Sequence, residues 1–249
     1  AGKVHAVGVD DNRHGVAMAS LAAAAVLASE GVEPIMHVVT RDRNRVALLS
    51  ACLGAKALGV GTILCTSGTH QTLGVCTPAK NVYDIDSVQA ISAAAKLDSL
   101  CIGGVASPFA DPLEMQLIKT AKKVSAGAQF LITSPVFDVA RFQAWWAAAS
   151  ERGLPGKVAI LAGIQPLLDA DAAKAFAASR PFPGVPQGML DNLSGAGGKD
   201  AQRAAGIAAA VETIKQLSQV QGVRGFQISS DGDDDAVLEI IQRAGLEAR

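Results

Sequence analysis

Aromatic residues are scarce in this sequence, at 4% of 249 residues with a single Tyr. Antiparallel sheets draw heavily on aromatic and β-branched side chains, so this scarcity argues against an all-β sandwich. Charge of one sign is missing too: the formal net charge is −1. That excludes electrostatic capture of nucleic acid or of an acidic membrane surface. No apolar run is long enough to span a bilayer, and the longest, Val16 to Ala28, is Ala-rich and short. Nothing resembles a signal peptide. The four cysteines form no CxxC pair. Cys65 and Cys101 sit in apolar runs and read as buried, reduced thiols, while Cys76 in a polar loop reads as exposed. A soluble, reducing, cytoplasmic setting is expected. There is no GxGxxG, no HxxxH, no nucleophile elbow and no visible Ser-His-Asp arrangement, so no metal is expected.

What is present is Ala, Val, Leu and Ile in short apolar runs that alternate with helical stretches. Lys3 to Val9, Ile35 to Val39, Thr62 to Thr66, Leu97 to Val105, Gln129 to Thr133, Lys157 to Leu161 and Val223 to Ile228 read as strands. Helices are predicted over Gly15 to Ser29, Val46 to Leu58, Asp84 to Lys96 (capped by Asp84 or Asp86), Pro112 to Ser125, Asp169 to Ser179 and Lys199 to Leu217. Asp138 caps another that carries Phe142, Trp145 and Trp146, and Asp233 to Asp235 opens the last. The Pro/Gly-rich segment from Arg180 to Gly188 reads as a loop, and Gly195 to Gly198 as a flexible joint. Alternating strands and helices build parallel sheets. The length is near the ~250 residues of one (β/α)8 barrel. A single TIM-type barrel domain over residues 1–249 is the expected α/β fold.

The stretch Glu33 to Arg45, EPIMHVVTRDRNR, organises the rest. A buried-type strand carries His37, then breaks into Thr40, Arg41, Asp42, Arg43, Asn44 and Arg45 before a helix begins. The C-terminal ends of parallel strands are where such folds keep their chemistry. The other polar exits are Asp10-Asp11, Thr66 to His70, Ser107, Thr133-Ser134, Gln165 and Ser229 to Asp231. His37 reads equally as a core histidine bonded to backbone or as a ring set against a planar ligand. Lys122-Lys123 reads as a solvated helix face or as a pair reaching a phosphate. Arg41, Asp42 and Arg43 could form an internal ion-pair network. The connection from Ser67 to Tyr83 is unusually long, which suggests function.

Taken together, His37 to Asn44 (HVVTRDRN), Ala79 to Val88 (AKNVYDIDSV), Lys122 to Asp138 (KKVSAGAQFLITSPVFD) and Leu161 to Leu167 (LAGIQPL) resemble, in order and spacing, the segments of methylenetetrahydrofolate reductases. The resemblance implies a (β/α)8 barrel that binds FAD at its strand ends. It implies hydride transfer from the flavin to methylenetetrahydrofolate, giving methyltetrahydrofolate for methionine biosynthesis. Carried over by position, the flavin contacts are Asp10, His37, Ser67, Gly68, Thr69, Tyr83, Asp84, Lys122 and Lys123. Ser134 and Gln165 fall on the folate side. Thr69 stands where the family has an aspartate, and Ser134 where many members have a glutamine.

The family's catalytic glutamate lies on a first strand that these residues do not contain, which leaves Asp10 and Asp11 as substitutes. Seven strands are readable where the barrel needs eight, so the first βα unit is expected to be absent. About 30 to 40 further residues before Ala1, bearing a Glu on a strand, or a strand donated by another chain, would complete it. Expected partners are a folate substrate, NAD(P)H or a redox partner subunit, and further copies or subunits in a homo-oligomer or hetero-complex. Two other readings stay open: a folate-linked methyltransferase, and a subunit of a larger redox complex.

Overall fold

The computed structural model describes residues 4–13, 15–73, 76, 78–179 and 184–246. It divides into two compact units, one of residues 1–105 and 120–131, the other of residues 106–119 and 132–249. The boundary passes through one helix, Leu113–Ser125, and two strands, Phe130–Pro135 and the last residue of Cys101–Ala106.

The first unit alternates β1 (Val7–Val9), α1 (Ser20–Ser29), β2 (Pro34–Val39), α2 (Arg45–Ala57), β3 (Thr62–Thr66), α3 (Ser87–Ala94) and β4 (Cys101–Ala106). Strands β1 to β4 pair in chain order, all parallel. Residues in register share a face, and successive residues alternate. Met36, Val38, Ile63, Cys65 and Ile102 therefore lie on one face, each 0–1% exposed. The other face carries Gly8, Ile35, His37, Leu64 and Gly103. Packing requires a glycine on each face: a Cβ on Gly103 would lie 2.2 Å from the Phe130 ring, and one on Gly104, in register with Cys65, would lie 2.9 Å from Ile91 on α3.

The helices start where their caps dictate. Asn44 accepts from the Ala47 amide at the head of α2. Asp86 and Gln89 form a reciprocal capping box on α3. Helix α1 is shorter than its sequence pattern. It begins at Ser20 rather than Gly15, because the Asn12 side chain engages the Ala17 amide and Ser20 Oγ donates to the His37 carbonyl. Strand β1 is shorter still; Val7 and Gly8 are exposed, and Lys3 lies outside the described residues.

The boundary helix is α4 (Leu113–Ser125) and the second boundary strand β5 (Phe130–Pro135). The second unit continues with α5 (Val139–Glu151), β6 (Ala159–Ile164), α6 (Ala170–Ser179), α7 (Gln187–Gly195), α8 (Lys199–Ser218), β7 (Gly225–Ile228) and α9 (Asp234–Ala244). Strands β6 and β7 pair in parallel. Gly163 on β6 lets the chains approach closely, since a Cβ there would lie 2.4 Å from the Thr133 carbonyl oxygen. Phe142, Trp145 and Trp146 stack together on α5, which Asp138 caps by accepting from the Arg141 amide. Helix α7 occupies part of the segment that the sequence pattern reads as loop; residues 180–183 of that segment lie outside the described residues. Leu190 and Leu193 of α7 pack with Phe137, Leu167, Ala170 and Ala173 in a core of their own.

The described residues thus hold seven strands in an α/β arrangement. None of their helices is long and apolar enough to cross a membrane.

Candidate functional site

The polar exits of β1, β2 and β3 meet in the first unit, and Arg41 ties them together. The residue is 5% exposed. Nε and Nη2 donate to the two carboxylate oxygens of Asp42 at 2.8 and 2.7 Å, a bidentate pair. Nη1 donates to the Thr69 carbonyl at 3.0 Å and Nη2 to the Asn12 carbonyl at 3.2 Å. The Arg41 carbonyl accepts from the Val82 amide. Gln71 closes the network by donating to Asp42 at 2.8 Å. The Arg41 hydrogen bond holds the Asp42 carboxyl below its usual range despite burial. Both ends of the long connection after β3 are thereby fastened to the end of β2.

The two aspartates after β1 do different things. Asp11, 5% exposed, accepts from the Val39 amide at 3.1 Å and from Arg43 Nη2. It joins the exits of β1 and β2. Asp10 is half-exposed and pairs with His37, Oδ1 to Nδ1 at 2.9 Å. Burial would raise the Asp10 carboxyl, but the hydrogen bond and charge of His37, with help from Arg13, bring it down to about 2. His37 has 18% of its side chain exposed. Its other ring nitrogen, Nε2, lies over Gly8, 3.3 Å from where a Cβ would stand. The partner of His37 is therefore a side chain of the neighbouring strand.

Other positions singled out by sequence surround this core. Gly68 has a φ of +76°, and a Cβ there would lie 2.5 Å from Val39 Cγ1, so glycine is needed where the connection crosses β2. Ser67 is half-buried, and Thr69 is exposed with its carbonyl held by Arg41. Tyr83 is exposed at a φ of +41°, with its ring 6.3 Å from that of His70. Asp84 accepts from the Arg45 amide and from its guanidinium, each at 2.8 Å, which fastens it to the start of α2. Lys122 is exposed on α4, while Lys123 turns inward and donates from Nζ to the Val105 carbonyl at the end of β4.

In the second unit, the Ser134 carbonyl accepts from Thr133 Oγ1 at 2.9 Å. Gln165 is 5% exposed and donates to Asp231 at 2.6 Å, and its Oε1 is buried without a hydrogen-bond partner. Gln165 borders a cavity of about 440 Å³ walled by Phe137, Leu167, Met189 and Ala209.

Sequence reasoning gave Arg41 no site role beyond a possible ion-pair network, and it missed Gly8 and Gln71. A glycine inside an apolar strand, two residues before a polar exit, marks close approach of another group; that signal was there for Gly8. Nothing in local spacing reports that Gln71 reaches Asp42.

Comparison with known proteins adds a family and two individual likenesses. The family model described as methylenetetrahydrofolate reductase matches residues 3–245. A Caenorhabditis elegans protein named probable methylenetetrahydrofolate reductase (NADPH) is 23% identical over 241 residues, 93% of this chain. The chain spans 35% of that relative's length. Among solved structures, a Clostridium thermocellum protein, described as uncharacterized and binding two copies of 5-methyl-5,6,7,8-tetrahydrofolic acid, superposes with a TM-score of 0.59. The two are 12% identical, and the match covers 88% of this chain and 76% of that one. At that identity, the likeness is one of fold.

Proposed function

Since the chain belongs to the methylenetetrahydrofolate reductase family, we propose that it interconverts methylene- and methyltetrahydrofolate, with FAD at the strand exits of the first unit. The observation that carries this reading is the floor made by Gly8 and His37. A planar ring needs a surface without projecting side chains, and Gly8 supplies one beside an imidazole fixed by Asp10. The residues present fit the ring side of a flavin on that ground. His37, the Ser67-Gly68-Thr69 turn, Tyr83 and Asp84 would hold it, and Lys122, with Lys123 bonded to the Val105 carbonyl beside it, would supply the positive charge for its phosphates. Arg41, Arg43 and Arg45 are already engaged by Asp42, Asp11 and Asp84. Bound FAD would supply hydride chemistry.

This chain's own contribution is positional. The Arg41 network fixes the turn around Gly68, so the site's edge is formed before ligand arrives and little ordering remains to oppose binding. Asp10 fixes the orientation of the imidazole. Ser134 and Gln165 are the residues proposed for the folate. NAD(P)H or a redox subunit would deliver electrons. Assembly with further copies or subunits belongs to the same proposal.

A second reading, folate-linked methyl transfer without hydride, is favoured by one observation: Asp11 and Asp42 are committed to arginines, and position 69 carries no carboxylate. One purification separates the two. The reductase reading expects flavin absorbance in the purified protein, bleached by reductant and restored by methylenetetrahydrofolate. Protein that takes up no FAD yet binds methyltetrahydrofolate overturns it in favour of methyl transfer.

A further inference from the structure

We propose that two copies of this chain pair through the outer faces of α1 and α2, with α1 of one copy lying along α2 of the other. This names a surface for the assembly proposed above, and it does not depend on the reaction.

Helix α1, SLAAAAVLAS, holds no Asp, Glu, Lys or Arg. A helix that is apolar all round is normally buried. Yet Val26 on α1 is 58% exposed, and Met18 just before the helix is exposed too. Helix α2 lies beside α1, with Leu21 against Gly54. Its outer face is apolar at Val46, 73% exposed, and at Leu53. Ser50 between them is exposed and uncharged. The two faces make one uncovered apolar strip on the first unit, the kind of surface that marks a protein–protein contact.

Each half of the strip ends in a single charge. Met18, Ala22, Val26 and Glu30 recur every four residues, and Val46, Ser50, Leu53 and Lys56 every three or four, so each set shares one side of its helix. All of them are exposed. Because β1, β2 and β3 are parallel, α1 and α2 both run back against them, and Glu30 and Lys56 stand at the same end. Among the described residues, neither forms an ion pair. An acid at a helix C-terminus is disfavoured by the helix dipole, whereas a lysine there is favoured. Glu30 therefore gains most from a cation brought by a neighbour.

Those two charges select the occupant and its orientation. A two-fold axis running along the helices sets α1 of each copy on α2 of the other, both pointing the same way. Met18 then meets Val46, Val26 meets Leu53, and Glu30 of each copy meets Lys56 of the other. A two-fold axis across the helices would set α1 on α1 head to tail and leave both charges against apolar residues. A different protein would have to match apolar strip and charges separately; a second copy matches both by symmetry. Helices of 10 and 13 residues are about 15 and 20 Å long and about 10 Å wide, a footprint of about 350 Å² per copy. That is small for a permanent dimer, so a reversible one with a micromolar Kd is expected.

Sedimentation equilibrium of the whole chain, from about 1 to about 200 μM, should show monomer and dimer in exchange. Leu53→Glu should weaken the dimer at least about 100-fold, by setting an unpaired charge in the apolar strip. Lys56→Glu and Glu30→Lys should each weaken it about 10-fold, since like charges then meet twice, and the two together should restore it to within about threefold. General repulsion does not give this pattern, because Glu30→Lys adds two charges and only takes the formal net charge from −1 to +1. Circular dichroism and urea midpoints separate a lost interface from a lost fold, and the charge variants carry the test alone if Leu53→Glu misfolds. A monomer across the whole range overturns the proposal and leaves the face to another protein or to a further segment of a longer chain. A dimer indifferent to Leu53→Glu, or charge reversals that do not rescue each other, overturns it as well, because the copies then meet elsewhere.

Discussion

Asp10 shows how a single contact sets a residue's titration. Burial alone pushes its carboxyl up, and His37, with a smaller part from Arg13, reverses that to about 2. A carboxyl depressed in the folded state adds stability above its unfolded value of 3.8 and loses it as pH falls from there towards about 2. In His37→Gln only Arg13 is left to oppose the burial, so the Asp10 carboxyl should titrate higher than in the wild type. Carbonyl-carbon NMR over an acid titration reads this directly. Urea unfolding should show a wider gap between wild type and variant at about pH 5 than at about pH 2. Thr40 makes the opposite case. Its hydroxyl is fully buried at the end of β2 with no hydrogen-bond partner. Thr40→Val keeps the shape and removes an unsatisfied polar group, so it should leave stability unchanged or raise it by about 1 kcal/mol. A loss of 1 kcal/mol or so in urea unfolding would mean the hydroxyl is satisfied in solution.

Elements depend on which neighbour a glycine faces. Gly54 lies within α2, and a methyl there would meet only the end of the Leu21 side chain at 3.2 Å. Gly54→Ala should gain about 0.5–1 kcal/mol from helix propensity, because Leu21 can turn aside. Gly163→Ala drives its methyl against the Thr133 carbonyl oxygen at 2.4 Å, where backbone cannot yield. A loss of roughly 1–3 kcal/mol is expected. Chemical denaturation of the pair gives opposite signs if local contact decides.

The same contrast explains what could be read from sequence. Strand β3 was legible to the residue, Thr62 to Thr66, since its polar flanks and apolar centre are local. Helix α7 was not, because the Pro and Gly before it signal a turn, and Leu190 and Leu193 are ordered by packing against Phe137 and Leu167. The cap of α3 was left between two aspartates. Asp86 has it, and Asp84 is drawn away by Arg45, a contact spanning 39 positions. In the candidate site, sequence named His37 and Asp10 separately. Their pairing depends on β1 and β2 lying side by side, which no local spacing records.

At the scale of the whole molecule, charge is nearly balanced and much of it is paired close by. The formal net charge is −1, with an isoelectric point near 6.5. Arg203 serves Asp233 and Glu239 together, and Arg243 adds a second contact to Glu239. Large apolar side chains also remain exposed, Val16, Met18, Val46 and Leu53 among them. A protein with little net charge and apolar surface associates most readily near its isoelectric point. Solubility should pass through a minimum at about pH 6.5 and recover on either side. Turbidity measured across a pH series checks this, and a flat profile would show that net charge does not govern association.

Arg41 has a consequence for anyone who recombines this chain with a relative. One guanidinium holds the backbone after β1 at Asn12 and the backbone after β3 at Thr69, while its own carbonyl holds Val82. The connection from Ser67 to Tyr83 is therefore not a cassette. A transplanted version that does not set a carbonyl where Thr69 sets one, or that lacks the glycine that clears Val39, leaves the buried Arg41 cation with too few acceptors. Crossovers that keep residues 10–12, 41–42 and 67–83 from one parent should yield many more folded chimeras than crossovers placed between them.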